Sequence, residues 1–431
     1  MSLILLGHPE TKRTEYFLKA AHDLGVSVTL IPLPLLTCPH DSEYETHITH
    51  ASRITNLAPR TIEFDYSSLE DAFVKIDPPP PLSYPIDSRA EDASLSRAGD
   101  TRPGLDTVMN RYHTFLLKLQ QVPGIRLLNS SDALWHTLDK TLCKQILQKG
   151  GLPTTPALTD ANGSPARIES LGQLREIMVE NSIRQVFIKP RLGSGAAGVA
   201  AYRFNPRTGA ETMETSALLR DNRLYNTNKL RKTGDSEEIA SVINRVLFQG
   251  ALVEEWIPKA SFNGKTFDLR AVYQFGRLEF LVARQSGGAI TNLHLNDNAL
   301  AATDLAFSPS QLSDIETLCR KAVALFPGLN VAGLDILLRQ NSYPSTHPLN
   351  PLIIEINGQG DLIYQDIFTE NRIYQAQIRW LTGSGTFSAS RIKCPPQKNP
   401  NLRKDQRYDE ETQNPALRGH CVESAGGRRR W

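Results

Sequence analysis

Asp335, Glu355 and Asn357 are the residues whose setting first asks for a chemical explanation. Glu355 and Asn357 stand in the apolar run Leu352-Ile-Ile-Glu-Ile-Asn357, and Asp335 stands in Gly333-Leu-Asp-Ile-Leu-Leu338. A charged or amide group inside such a run is costly unless it is paired or bound to a metal. Strand alternation sets Glu355 and Asn357 on one face, and a neighbouring strand carrying Asp335 could complete the group. Two carboxylates and an amide oxygen are hard ligands suited to Mg²⁺ carrying substrate phosphates. Buried acids paired with arginine are the other reading.

Four further groups could do chemistry. Gly193-Ser194-Gly195-Ala-Ala-Gly198 has the spacing of a dinucleotide loop, but such a loop must open a helix. Here Val199–Phe204 has strand character, which favours a glycine flap over phosphates; a dinucleotide loop and a plain turn stay open. Lys189 ends the strand before that loop and could reach a phosphate as a compact cation, or be solvated, as could Lys140 on the preceding helix. Glu254-Glu255-Trp256-Ile257 could form a hinge around a purine, with the acid or the main chain reading the exocyclic amine. An ordinary strand end with Trp256 in the core is the alternative. Arg270 and Arg284 could aim at a phosphate or acyl phosphate from adjacent strands, or form a surface ion pair. No H-E-x-x-H, G-x-S-x-G or Walker A motif is present.

The elements that must position these groups follow from periodicity. Leu3–Leu6, a helix over 11–24 and Val26–Ile31 read as a βαβ start. Asp77-Pro-Pro-Pro-Pro81 reads as a stiff extended segment, and 87–104 as a loop. A helix over 105–120 and a strand at 125–128 follow, then one helix over 132–148. Strands are expected at 186–189, 199–204 and 251–256, a helix at 235–248, and a polar, basic loop at 219–234. Asp268–Phe275 and Leu278–Arg284 read as a hairpin. Ser308-Pro309-Ser-Gln311 is a capping box with proline at the first helical position, opening a helix whose apolar face runs to Phe326. Strands at 333–339 and 352–357 and a helix at 366–381 close the pattern.

Composition narrows the class. The chain has 431 residues, 40% hydrophobic and 22% charged, with a formal net charge of +2. That is ordinary for a globular chain and gives no global attraction to nucleic acid or anionic membrane. Residues 391–431 carry ten Lys/Arg and five Asp/Glu, so the excess sits in a tail read as disordered. Cys38, Cys143, Cys319, Cys394 and Cys421 show no metal or disulfide spacing. A reducing, cytoplasmic location is expected. The histidines, His47 and His50 among them, are scattered and read as surface residues. No run is long enough to span a membrane.

Taken in order, these motifs resemble the ATP-grasp superfamily, in particular the branch of the ribosomal-protein glutamate ligases, glutathione synthetase and D-alanine–D-alanine ligase. The resemblance covers about residues 125–381. It implies an α+β ATP-grasp fold preceded by an α/β domain. The divisions are 1–124, then 125–257 with the glycine loop and hinge, 258–382 with the metal site, and the tail 383–431. It implies that ATP is held by Lys140, Lys189, Gly193, Ser194, Gly195, Gly198 and the hinge Glu254, Glu255, Trp256 and Ile257. It also implies Mg²⁺, or Mn²⁺, on Asp335, Glu355 and Asn357, with Arg270 and Arg284 at the transferred phosphoryl group. The implied activity is a carboxylate–amine ligase forming an amide through an acyl phosphate, on a small acid or peptide; homodimers are common among similar ligases. Phosphoryl transfer to a hydroxyl, or a nucleotide-binding regulator whose basic tail contacts nucleic acid, are the alternatives. The Pro-Gly that usually follows the last metal-binding Asn is replaced by Gly358-Gln-Gly-Asp361.

Overall fold

The computed structural model describes residues 2–7, 11–33, 66–76, 105–193, 196–220, 223–291, 298–340, 343, 349–359 and 371–383. All of them fall in the compact unit Met1–Cys394. The expected stiff segment at 77–81, the 87–104 loop, His47, His50, Ser194, Gly195 and the tail from 384 on lie outside them.

Strands β1 (Leu3–Gly7), β2 (Val28–Pro32), β3 (Phe73–Ile76) and β4 (Arg126–Leu127) form a parallel sheet in the order β2-β1-β3-β4. The βαβ start is therefore present, with α1 (Lys12–Asp23) capped by the Thr11 hydroxyl, which accepts from the Thr14 N–H. Helix α2 (Leu105–Leu119) contributes Val108, Met109, Tyr112 and Phe115 to the core beneath the sheet.

The single helix expected over 132–148 is two helices, α3 (Ser131–Leu138) and α4 (Lys140–Lys149). Asp139 sits between them in extended conformation, and its carboxylate accepts from the Thr141 and Leu142 N–H groups. A short acid can satisfy the open donors of a new first turn, which makes a break here inexpensive. The break turns Lys140 into the first residue of α4, one turn from Lys144.

The second sheet is antiparallel, in the order β8-β7-β6-β5-β9. Its members are β5 (Gln185–Pro190), β6 (Ala200–Phe204), β7 (Glu211–Arg220), β8 (Arg223–Thr233) and β9 (Ala251–Glu255). Helices α5 (Leu171–Glu180) and α6 (Ser236–Phe248) share its core through Leu174, Met178, Ile239, Val242 and Val246. The loop expected at 219–234 is corrected to the end of β7 and the whole of β8. An edge strand buries one face at most, so basic residues such as Lys229 and Lys232 are compatible with it.

The third sheet runs β13-β12-β11-β14-β15, with β10 (Ser261–Phe262) added beside β11. Its longer members are β11 (Lys265–Gln274), β12 (Arg277–Ser286), β13 (Asn298–Ala301), β14 (Val331–Leu337) and β15 (Leu352–Asn357). Helix α7 (Pro309–Val323) has the expected capping box: the Ser308 hydroxyl accepts from the Gln311 N–H, and the Gln311 side chain accepts from the Ser308 N–H. It buries Ile315, Leu318, Cys319 and Ala322 against the sheet. The closing helix is α8 (Arg372–Leu381), and residues 366–370 lie outside the described residues. Among the described residues no helix is long and apolar enough to cross a membrane. The chain thus adopts the mixed architecture expected of it, a parallel α/β layer followed by two antiparallel sheets backed by helices.

Candidate active site

The third sheet brings the acidic trio together. Asp335 on β14 is directly opposite Glu355 on β15, and Gly333 is opposite Asn357. The Asn357 amide donates to Glu355 Oε1 at 3.4 Å. On the other side of β14, Arg270 faces Asp335 across the β11 pairing. Arg270 Nε lies 2.5 Å from Asp335 Oδ1, and Arg284 Nη2 lies 3.1 Å from Asp335 Oδ2. The possible surface ion pair is thereby corrected, since the two arginine side chains are only 12% and 7% exposed. Arg284 also donates to Asp268 Oδ1 at 2.7 Å, while Lys259 Nζ donates to Asp268 Oδ2 at 2.8 Å. Thr291 adds its hydroxyl to the same carboxylate.

These contacts set the ionisation of each acid. Burial pushes Asp335 up, against the pull of Arg270 and Arg284. Burial also works against Glu355, but Lys140, Lys189 and Arg270 outweigh it and hold that carboxyl down. Asp268 is held well below the usual range because Arg284 and Lys259 outweigh its burial.

A second knot lies across the seam, at the end of β9. The Glu254 carboxylate is clamped by two lysines, Lys144 at 2.5 Å from Oε1 and Lys189 on Oε2. Thr155 Oγ1 donates to Oε1 at 2.7 Å. Burial would raise this carboxyl, yet Lys144 and Lys189 hold it at about 2. Lys189 is raised because Glu254 and Glu355 outweigh its burial. For Lys140 burial dominates over Glu355 and lowers it. Lys140 donates to the Gly193 carbonyl, and so joins α4 to the start of the glycine loop.

That loop leads from β5 to its antiparallel neighbour β6, which excludes the dinucleotide arrangement. Gly193 and Gly198 have φ of 106° and 70°, a region where a side chain is strained. The far end is tied down by Asn226 Oδ1, which accepts from the Gly198 N–H at 3.3 Å, and by the Ser216 hydroxyl on the Ala196 carbonyl.

The hinge divides its work between side chains and backbone. Trp256 N–H donates to the Gln185 carbonyl, and the Gln185 amide donates to the Trp256 carbonyl. On the opposite edge the Glu255 N–H donates to the Pro156 carbonyl at 2.8 Å. The Glu254 side chain, 1% exposed, is occupied by its lysines and is not presented as a reader of a purine amine. The Trp256 ring packs on Phe187 with centroids 5.2 Å apart, and the Arg203 guanidinium lies 4.2 Å from its centre. Ile257 is buried with Leu337 and Leu352, against the partly buried Ile354.

Lys140, Lys144, Lys189, Lys259, Arg270 and Arg284 face the carboxylates of Glu254, Asp268, Asp335 and Glu355, an excess of two positive charges. A narrow cleft is lined by Thr137, Lys140, Lys144, Lys189, Ile354 and Glu355. Among the described residues no group of three His, Cys, Asp or Glu is placed to hold a metal. The trio of two carboxylates and one amide offers oxygen donors of the kind Mg²⁺ takes with waters and phosphates. Lys144, Lys259, Asp268 and Thr155 were not among the expected site residues. Lys144 had one signal, its place four residues after Lys140 on the same helix face, and Asp268 shares a strand face with Arg270.

No family model matches the chain, and no curated protein matches it in sequence. Solved structures do resemble it. The macrocyclase MdnC bound with precursor peptide MdnA, from Microcystis aeruginosa MRC, is 15% identical at a TM-score of 0.49, covering 89% of this chain and 100% of that one. The ATP-grasp ligase PsnB complexed with a minimal precursor is 12% identical at a TM-score of 0.45, covering 88% of this chain and 99% of that one. The biotin carboxylase of Campylobacter jejuni is 12% identical at a TM-score of 0.46, covering 90% and 72%. These likenesses are distant, and the chemistry follows from this chain's own side chains.

Proposed function

We propose that the chain is a Mg-ATP-dependent carboxylate–amine ligase of the ATP-grasp type, acting on a small acid or a peptide. The observation that carries this reading is the charge excess that lines the seam between the two antiparallel sheets. Four carboxylates face six cations there, and a magnesium–nucleoside triphosphate complex brings about two negative charges to balance them. An excess of like charge in a buried and half-buried seam without such a ligand would be costly.

In this reading the Glu255 carbonyl and the Ile257 N–H face the adenine edge, and Ile257, Leu337 and Ile354 give it an apolar wall. Lys140 and Lys189 hold phosphate oxygens, with the loop from Gly193 to Gly198 above them. Asp335, Glu355 and Asn357 hold Mg²⁺, which neutralises charge on the phosphates when bound. Arg270 and Arg284 stabilise the phosphoryl group in transit. The substrate carboxylate oxygen bonds to the γ-phosphorus as the bond to ADP breaks. The amine nitrogen then bonds to the acyl carbon, phosphate leaves with its bonding pair, and the amine loses a proton. The protein supplies position and charge rather than covalent chemistry.

The test is incubation with Mg-ATP, a panel of carboxylic acids and short peptides, and hydroxylamine, reading ADP and hydroxamate. Acid-dependent hydroxamate that disappears in Asp335→Ala is expected. ADP with a stable phosphorylated product and no hydroxamate would replace ligation with transfer to a hydroxyl.

A further inference from the structure

Lys144 takes no part in the chemistry above, yet it is among the most completely buried side chains in the molecule, 2% exposed. Its ammonium donates to Thr155 Oγ1 at 2.8 Å, the Thr155 carbonyl at 3.1 Å and the Ile354 carbonyl at 3.4 Å, besides its ion pair with Glu254. It therefore touches the residue before the metal-binding Glu355 and the acid that opens the hinge. Glu254 is saturated in turn, with Lys144 on one oxygen and Lys189 on the other.

The two lysines differ in freedom. Both line the cleft beside Lys140, but the Lys144 ammonium is held by Glu254, Thr155 and the Ile354 carbonyl with its side chain 2% exposed, whereas Lys189 lies at the end of β5 with a side chain 10% exposed. A buried carboxylate stripped of all counter-charge is strongly destabilising. Lys189 can turn to a phosphate at low cost only if Glu254 keeps another cation.

We propose that Lys144 is a positioning residue, the standing counter-ion of Glu254, which frees Lys189 to exchange that carboxylate for a nucleotide phosphate. The inference rests on the nucleotide reading above. Without Lys144, Glu254 holds Lys189 as its sole cation, and phosphate must compete for it. Removing the negative charge as well ends that competition.

The test is Mg-ATP affinity by calorimetry on the full chain, for wild type, Lys144→Met, Glu254→Gln and the double variant, each checked for folding by circular dichroism. Lys144→Met is expected to weaken binding by at least about tenfold, as loss of a supporting partner does at other charged sites. The double variant is expected to bind as Glu254→Gln does, within about threefold. Unchanged affinity in Lys144→Met would overturn the proposal. So would a double variant as weak as Lys144→Met, which would mean that Lys144 only supports the fold. If Lys144→Met does not fold, the double variant, which strands no charge, decides by the same comparison. A wild type that binds no Mg-ATP would instead remove the nucleotide reading itself, and the proposal with it.

Discussion

Replacing Asn129 by alanine should unfasten the first layer from the sheet that carries β14 and β15. Asn129 follows β4 and is 6% exposed. Its amide donates to the carbonyls of Val331 and Gly358, both at 2.8 Å. Its oxygen accepts from the N–H groups of Asn330 and Val331, at 2.8 and 2.9 Å. One side chain thus makes four hydrogen bonds to the start of β14 and to the residue after Asn357. Each is worth about 1 kcal/mol net, and partners left buried without water cost the full amount. The expected loss is about 3–4 kcal/mol. Asn129→Asp keeps both acceptor bonds but points a carboxylate at two carbonyls, so it should lose at least as much. Urea unfolding followed by tryptophan fluorescence measures this, and the midpoint should fall without a change in slope. A loss below about 1 kcal/mol in Asn129→Ala would mean that the clamp is replaced by solvent and does not hold the layers together.

Acid should act through Glu254. Its folded pKa of about 2 lies below the ordinary value of 4.5, so its contribution is complete above about pH 4.5 and is lost as pH falls toward 2. The shift is worth about 3 kcal/mol by linkage, and Glu254→Gln should flatten that limb of a stability–pH curve. Ser308→Ala should cost about 1 kcal/mol, since it removes the hydroxyl half of the capping box on α7; thermal unfolding would show no change if α7 did not depend on it. Gly328→Ala should cost about 1–3 kcal/mol, because φ there is +80° and the added Cβ would lie 2.6 Å from Ser130 Oγ; an unchanged melting temperature would contradict that geometry.

Much of the site is legible in the chain because its residues violate local expectation. A glutamate and an asparagine in an apolar strand had to be paired or bound to a metal, and strand alternation was enough to put those two on one face; the register of β14 on β15 is what sets Asp335 beside them. The α7 helix was legible because its start signals and its apolar face agree. The break at Asp139 was not, because the flanking segments share a helical pattern and a single acid decides between one helix and two. Strand β8 was hidden by its basic edge, which carries the composition of a loop. Lys144 and Asp268 had only a spacing signal, too weak to assign them to the site. Their burial depends on Glu254 in one case and on Lys259 and Arg284 in the other, and no local pattern ties those partners together.

The central claim is that the charged seam holds a magnesium–nucleotide complex. The most direct measurement is calorimetric titration of the full chain with ATP, with and without Mg²⁺, beside Asp335→Ala. The account predicts saturable one-to-one binding that strengthens with Mg²⁺, with the Mg²⁺ dependence lost in the variant. Absence of binding to the folded wild type, or equal Mg²⁺ dependence in Asp335→Ala, would contradict it.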